Sequence, residues 1–366
     1  MVRMLIDYME IPRYVVMGPK VLECIPDICS KLGFKGLGYI VSGSTFTRKI
    51  AEKVSGILEG YGIKTASAMV VGNPRYDRFL DEIRAIYTYA KKIDAKFVVG
   101  VGGGTILDTA KLISSWLNTP FISIPTSTAH DGIASPAISF LLRYKLSIYG
   151  EGDTKIIAPI AIVADIDVIK DEPYHMVVAG FGDLIAKYTA VKDWRLAVRE
   201  RGEEYSEYAA SMSLMSANLL AKHISSIRDK SVYGIRVLVK ALIGSGVAMS
   251  IAGSSRPASG SEHLFSHALD LLSLRYGFEP RSHGIQCGIG SIISMYLHGG
   301  DWRRIRSLLL SVKAPVDSKT LGIDENYLIE ALIEASKIRP ERFTILSKVK
   351  LDRGRAEAIL TETLII

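Results

Sequence analysis

The hydrophobic pattern changes its period partway along the chain. In the first half, short apolar runs alternate with amphipathic stretches. Residues 38–43 read as a strand ending in small residues, 46–58 as a helix and 64–71 as a second strand. The alternation continues with a helix over 76–93, a buried strand over 97–101, a helix over 107–117 and a strand over 120–124. Strands joined by helices in this way predict a parallel sheet covered by helices. Residues 137–149 and 155–163 look extended, and from about 169 onward the pattern is helical almost throughout. Apolar residues recur at three- and four-residue spacing over 176–197, 203–226, 231–250, 262–275, 284–297 and 301–311. The expected architecture is a Rossmann-like α/β domain over residues 1–168 and an all-α domain over 169–366. A chain of 366 residues exceeds what one core usually serves, and a ligand site between two domains follows naturally.

Composition narrows the class. Hydrophobic residues at 48% and charged residues at 23% match a globular protein able to bury a full core. Three cysteines without CxxC spacing suit a reducing compartment, so the expected location is cytoplasmic. The opening segment MVRMLIDYMEIP carries acids and a proline where an export signal needs an unbroken apolar run. The stretch 156–164, taken as the most apolar, contains Pro159 and is too short to span a bilayer, so no membrane embedding is expected. The net charge of +7 comes from lysines and arginines scattered along the chain, which argues against nucleic acid. A basic cleft for phosphorylated small molecules and a generally lysine-rich surface both account for it.

The glycine cluster Gly102, Gly103 and Gly104 lies between a predicted strand and a predicted helix. Glycines let the backbone approach a ligand closely, and the helix start presents free N–H groups to an anion. These three would cradle a pyrophosphate, and the Thr105 hydroxyl would add a contact. The spacing is not G-x-G-x-x-G, so a conventional Rossmann fingerprint does not apply. Asp108, one turn into the helix, would orient the loop or compensate the helix dipole.

The loop GGGTILDTAK over 102–111 resembles the GGG(S/T)xxDxxK segment of the iron-containing alcohol dehydrogenase, glycerol dehydrogenase and dehydroquinate synthase superfamily. Within it, the sn-glycerol-1-phosphate dehydrogenase branch is matched by IPTSTAHDGIASP (124–136), AGFGDL (179–184), YTAVKDW (188–194) and SSRPASGSEHLFSH (254–267). The resemblance runs from about Gly18 to Ser294. It implies a dehydroquinate synthase-like fold and a zinc site made of Asp183, His263 and His283, a donor set that iron or nickel would also suit. His263 and His267 are four apart, without the glutamate of an HExxH protease. The resemblance places Gly43, Gly102, Gly103, Gly104, Thr105, Asp108, Thr126, Ser127 and Ser135 at the cofactor. It places Asp131 and His267 at the reacting centre, His267 otherwise being a packed core histidine and Asp131 an Asx-turn residue.

For the substrate phosphate the candidates are Arg256, Lys187, His130 and Lys192, with Arg256 preferred. The chain carries Gly43 where NAD-preferring relatives carry an acid, and Arg48 lies nearby, so NADP(H) is expected alongside NAD(H). The implied reaction is reduction of dihydroxyacetone phosphate to sn-glycerol 1-phosphate, for archaeal-type ether lipids, in a homo-oligomer. Three rivals stand beside it: a polyol dehydrogenase with no phosphate site, a lyase of the dehydroquinate synthase type, and a nucleotide-binding protein without catalysis. The lyase usually has glutamate where Asp183 stands, and a binding module has no use for a metal set.

Overall fold

The computed structural model describes residues 9–76 and 78–366. The opening segment read for an export signal lies largely outside the described residues. Six strands form one sheet: β1 (Tyr14–Gly18), β2 (Gly38–Gly43), β3 (Thr65–Val70), β4 (Phe97–Gly102), β5 (Phe121–Pro125) and β6 (Ala161–Asp165). Their order is β1-β6-β5-β4-β2-β3, and every neighbouring pair is parallel. Central strands β4 and β5 are buried along their whole length, which is why they read as continuous apolar runs without alternation.

In the sheet half lie helices α1 (Ile25–Lys31), α2 (Phe46–Gly60), α3 (Phe79–Lys92), α4 (Gly104–Leu117) and α5 (Phe140–Ile148). Here the predicted extended segment 137–149 is overturned. Its second half alternates Tyr144, Leu146 and Ile148 with polar residues, but the structure buries Leu142, Lys145 and Leu146, the three- and four-residue spacing of a helix. Strand β1 falls in a segment for which no element was predicted. The chain leaves β2 toward β3 on one side, then crosses to β4 on the other. The carboxyl ends of β2 and β4 therefore flank the topological switch point, where open parallel sheets bind ligands.

After β6 the described residues are helical: α6 (Ile166–Ile169), α7 (Tyr174–Ile185), α8 (Lys187–Arg201), α9 (Glu207–Lys222), α10 (Ile224–Arg228) and α11 (Val232–Ala252). Then follow α12 (Ser261–Tyr276), α13 (His283–Leu297), α14 (Trp302–Ser311), α15 (Ser318–Leu321), α16 (Glu325–Ile338) and α17 (Arg353–Glu362). The single helix predicted over 176–197 is interrupted at Ala186. There the Ala186 carbonyl accepts both the Thr189 N–H at 3.1 Å and the Ala190 N–H at 2.9 Å, a tightened turn at the junction. Likewise the predicted helix over 203–226 divides into α9 and α10. By length and composition α11 could cross a membrane, a longer apolar stretch than the 156–164 segment taken as most apolar, but 67% of its window is buried, which fits a core helix.

One apolar cluster runs from Tyr39 and Val41 in the sheet through α7, α12 and α13 to Ile365, so the two halves share a core. A second cluster, including Leu22, Val54, Phe97, Val99 and Val163, fills the other sheet face.

Candidate functional site

At the switch point, Gly43 ends β2, and a Cβ on it would meet the Thr47 hydroxyl at 2.8 Å, with Ile106 of α4 at 3.6 Å. The glycine cluster begins at the end of β4, and α4 starts at Gly104. A Cβ at Gly103 would lie 3.2 Å from the Ser127 hydroxyl, and one at Gly104 would overlap the His130 ring at 2.1 Å. Only glycine fits so close to the 126–130 loop, which is tied back by Thr126 N–H donating to the Gly102 carbonyl at 3.0 Å. Gly102, Gly103, Gly104, Thr105, Thr126 and Ser127 are thus drawn together at one helix N-terminus. Ser135 is buried, with its hydroxyl unpartnered.

Asp108 is different. Its carboxylate accepts from the Ser139 N–H at 2.7 Å and faces Lys111 at 3.3 Å, both inside the fold. Fully buried Lys111 in turn donates to the Gly132 and Ser135 carbonyls. This pair staples α4 to the 132–139 loop, so Asp108 orients the loop and its carboxylate does not face a ligand.

Asp183, His263 and His283 come from α7, α12 and α13 and converge. Helices α7 and α13 touch backbone to backbone: a Cβ at Gly182 would meet the Gly284 carbonyl oxygen at 2.3 Å, and one at Gly284 would meet the Ala179 carbonyl oxygen at 1.9 Å. That approach sets Asp183 beside the start of α13. His263 Nε2 lies 3.6 Å from Asp183 Oδ1, and the His263 and His283 rings are 4.9 Å apart. His263 Nδ1 is 2.8 Å from Glu262 Oε1, and that carboxylate also accepts from Gly260 N–H and the Thr189 hydroxyl. A carboxylate behind one ring nitrogen is the usual arrangement behind a metal-ligating histidine; burial is outweighed by Cys287, Asp183 and Glu262, which raise His263 above its usual range, so a metal at Nε2 would displace a proton. Ser266 Oγ stands 3.2 Å from His283 Nδ1. This buried set of two imidazoles and a carboxylate fits a divalent metal such as zinc.

Cys287, one turn beyond His283, puts its sulfur 3.5 Å from His283 Nε2, and ligand atoms of His263, His283 and Cys287 lie within 4.8 Å of one another. The i, i+4 spacing from His283 was its only signal in the sequence. Burial raises the Cys287 thiol. Burial alone would raise Asp183 too, but the Lys187 ammonium and the His263 and His283 rings outweigh it and hold that carboxyl well below its usual range. Metal ligands must be deprotonated, so Asp183 is the better anionic donor.

Lys187 has no exposed surface. Its Nζ lies 2.9 Å from both Asp131 Oδ2 and Asp183 Oδ1, and it donates to the Ala258 carbonyl at 3.2 Å. Burial opposes the charge, yet Asp131 and Asp183 together raise its pKa. The expected substrate contact therefore gives way to a bridge between two carboxylates. Asp131 also accepts from Ser245 Oγ at 2.7 Å, while its N–H donates to Asp183 Oδ2 at 2.9 Å. The turn at Gly132 is capped by His130 Nδ1 instead, so the Asp131 carboxylate makes no Asx-turn.

His267 stacks on Phe140 of α5 at 4.2 Å and lies 5.9 Å from the His283 ring; its Nδ1 is buried without a hydrogen-bond partner among the described residues. Burial, then His283 and His263, hold it well below its usual range, so it is a neutral imidazole. Arg256, preferred for the phosphate, is instead engaged by Glu203 and by the Phe343 carbonyl at 2.9 Å. Lys192 is exposed on α8.

A family model described as iron-containing alcohol dehydrogenase matches residues 16–173. Glycerol-1-phosphate dehydrogenase (NAD(P)+) of Methanosarcina acetivorans is 45% identical over 98% of this chain and 97% of its own length. The enzyme of the same name from Pyrococcus horikoshii is 46% identical over 95% of this chain and 96% of its own. Among solved structures, glycerol dehydrogenase from Schizosaccharomyces pombe superposes with a TM-score of 0.76 at 18% identity, covering 98% of this chain and 90% of that one. At that identity the likeness speaks to the fold, whereas the near-full-length relatives speak to descent: the chain belongs to the glycerol-1-phosphate dehydrogenase family of iron-containing alcohol dehydrogenases.

Proposed function

We propose that this chain reduces dihydroxyacetone phosphate to sn-glycerol 1-phosphate with NADPH or NADH, using zinc held by Asp183, His263 and His283. The observation that carries the reading is the convergence of these three donors beside Asp131 and His267, in a chain of this family. When bound, zinc supplies Lewis-acid polarisation of the C2 carbonyl and the reduced nicotinamide supplies hydride. Gly102, Gly103 and Gly104, with Thr105, Thr126, Ser127 and Ser135 around them, hold the cofactor at the switch point. Lys187 and Ser245 lock the Asp131 carboxylate in place, which fixes the substrate hydroxyls it accepts from. Neutral His267 presents a ring N–H as hydrogen-bond donor to the oxygen that gains charge, and it relays a proton to that oxygen only as its other ring nitrogen takes one up from water. Phe140, stacked on that ring, excludes water and fixes its orientation.

At the end of β2, Gly43 leaves room for a 2′-phosphate, and Ser44, Thr45, Arg48 and Lys49 line the cavity there. The Arg48 pair with Glu52 is exposed and weak, so the guanidinium is free to turn to an added phosphate. We accordingly assign use of both NADP(H) and NAD(H). Residues 1–168 act as the cofactor half and 169–366 as the metal and substrate half of a cytoplasmic homo-oligomer serving ether-lipid synthesis. Three free cysteines are consistent with a reducing compartment.

The test is steady-state oxidation of NADPH and NADH with dihydroxyacetone phosphate, with and without chelator, followed by chiral analysis of the product. Zinc-restored turnover to the sn-1 isomer with either cofactor is the expected result. Turnover of dihydroxyacetone alone would transfer the assignment to a polyol dehydrogenase, and a strong preference for NADH would remove the Gly43 argument.

A further inference from the structure

Helix α16 packs on α12, the helix that carries His267, and the chain just beyond it bears guanidiniums that the reaction above does not use. Arg342 is buried, 8% exposed, yet meets no carboxylate within ion-pair distance among the described residues. Its Nη1 donates to the Ser259 carbonyl at 2.7 Å and its Nη2 to the Ser255 hydroxyl at 2.9 Å. Both acceptors are neutral. The next carbonyl back, Ala258, accepts from Lys187, so one peptide separates Arg342 from the Lys187–Asp131–Asp183 cluster.

Arg339, three residues earlier, pairs with Glu341 at a half-open position. Burial disfavours the charge of Arg342 and Arg339 and Arg256 add repulsion, against a smaller attraction from Glu341 and Glu262. Across from them Arg143 of α5, whose Nη1 donates to the Gly152 and Thr154 carbonyls, is disfavoured by its own burial and then by Arg339. A guanidinium does not relieve such crowding by losing its proton. Arg256 and Arg339 have carboxylate partners in Glu203 and Glu341, but buried Arg342 holds only neutral acceptors within hydrogen-bond distance among the described residues, which suits a further anion. Their field reaches His267, whose buried Nδ1 has no partner.

We propose that Arg339 and Arg342 form the phosphate-binding pair that selects a phosphorylated three-carbon substrate, with the phosphate between them and His267. This rests on the reading of dihydroxyacetone phosphate as substrate. The spacing suits it: the phosphate is tethered to the reacting carbon by one methylene and one oxygen, and one peptide separates Arg342 from the carboxylate cluster. Arg342 retains N–H donors beyond the two that hold the loop, and a planar fork matches phosphate oxygens better than a point charge.

The experiment compares wild type, R339Q and R342K. Among the described residues Arg339 makes no hydrogen bond or ion pair to the 255–260 loop, its partner being Glu341, so R339Q keeps the fold, and R342K keeps the charge while losing the fork. For each, kcat/KM is measured with dihydroxyacetone phosphate and with dihydroxyacetone, and inorganic phosphate is titrated by calorimetry into the zinc-loaded protein. Loss of a charge-assisted hydrogen bond predicts a fall of about 10- to 100-fold in the ratio of the two kcat/KM values, carried by KM. Phosphate binding weakens in parallel. Damage to the fold lowers both substrates together and leaves the ratio unchanged, which overturns the assignment, as does phosphate binding unaffected in both variants. A wild type that binds phosphate through these arginines but leaves dihydroxyacetone phosphate unreduced sinks the substrate reading and keeps the anion site.

Discussion

Glu172 provides a test of how burial and hydrogen bonding compete at the join between the two halves. It follows α6, is 5% exposed, and accepts from Thr128 N–H at 2.7 Å and Thr128 Oγ1 at 2.6 Å. Thr128 lies in the loop that packs on the glycine cluster. Burial pushes the Glu172 carboxyl from 4.5 up to about 7, against the two bonds from Thr128 and the field of Lys230. The sign follows from proton counting: between these values the folded chain holds a proton that the unfolded chain has released, so stability falls as pH rises. The contribution is fully present below pH 4.5, is lost through the interval, and is gone above about 7. Its size is about 3 kcal/mol.

Glutamine at 172 keeps the shape, accepts from the Thr128 N–H and donates to the Thr128 hydroxyl, but does not titrate. Urea unfolding of wild type and E172Q across pH 4 to 8 therefore isolates one group, since every other titration cancels in the difference. E172Q should gain about 3 kcal/mol relative to wild type between pH 4.5 and 7 and nothing further above it. A difference constant to within about 1 kcal/mol, or one that moves the other way, would mean that the two donated bonds hold the carboxyl anionic and that burial was overweighted.

Three more outcomes follow from packing and charge. In G182A the new methyl meets the Gly284 carbonyl oxygen, so α13 must retreat; the expected cost is about 3 kcal/mol, with loss of bound zinc measured by atomic absorption, and full zinc retention would refute it. K187M leaves Asp131 and Asp183 as unpaired buried neighbours, at a cost of about 3–5 kcal/mol. A zinc ion on Asp183 offsets part of this, so the melting-temperature loss should be larger in chelator than in zinc; equal losses would count against Asp183 as a ligand. C287S should retain stoichiometric metal, and the cobalt-substituted wild type should lack a thiolate charge-transfer band. An intense near-ultraviolet band lost in C287S would move the third ligand from Asp183 to the sulfur.

Local pattern by itself determined the βαβ alternation, the helical second half and the glycine cluster opening α4, because strand and helix periods and glycine freedom are properties of neighbouring residues. Motif resemblance further brought Asp183, His263 and His283 into one expected set, since ligands carried on recurring segments are visible as strings. Where local signals were ambiguous the reading failed: the alternation of Tyr144, Leu146 and Ile148 suggested a strand, and only packing of Leu142 and Leu146 into the core makes α5 a helix. The break at Ala186 is a tightened turn that the apolar spacing over 176–197 does not show. Tertiary structure alone decided which cations are engaged by carboxylates of the fold. Lys187 and Arg256 stand in recognisable segments but are engaged by Asp131, Asp183 and Glu203, whereas Arg339 and Arg342 lie beyond the resemblance and arrive through the packing of α16 on α12. Such assignments depend on which distant backbones can touch, as Gly182 and Gly284 allow α7 and α13 to do, and no periodicity within a segment encodes that.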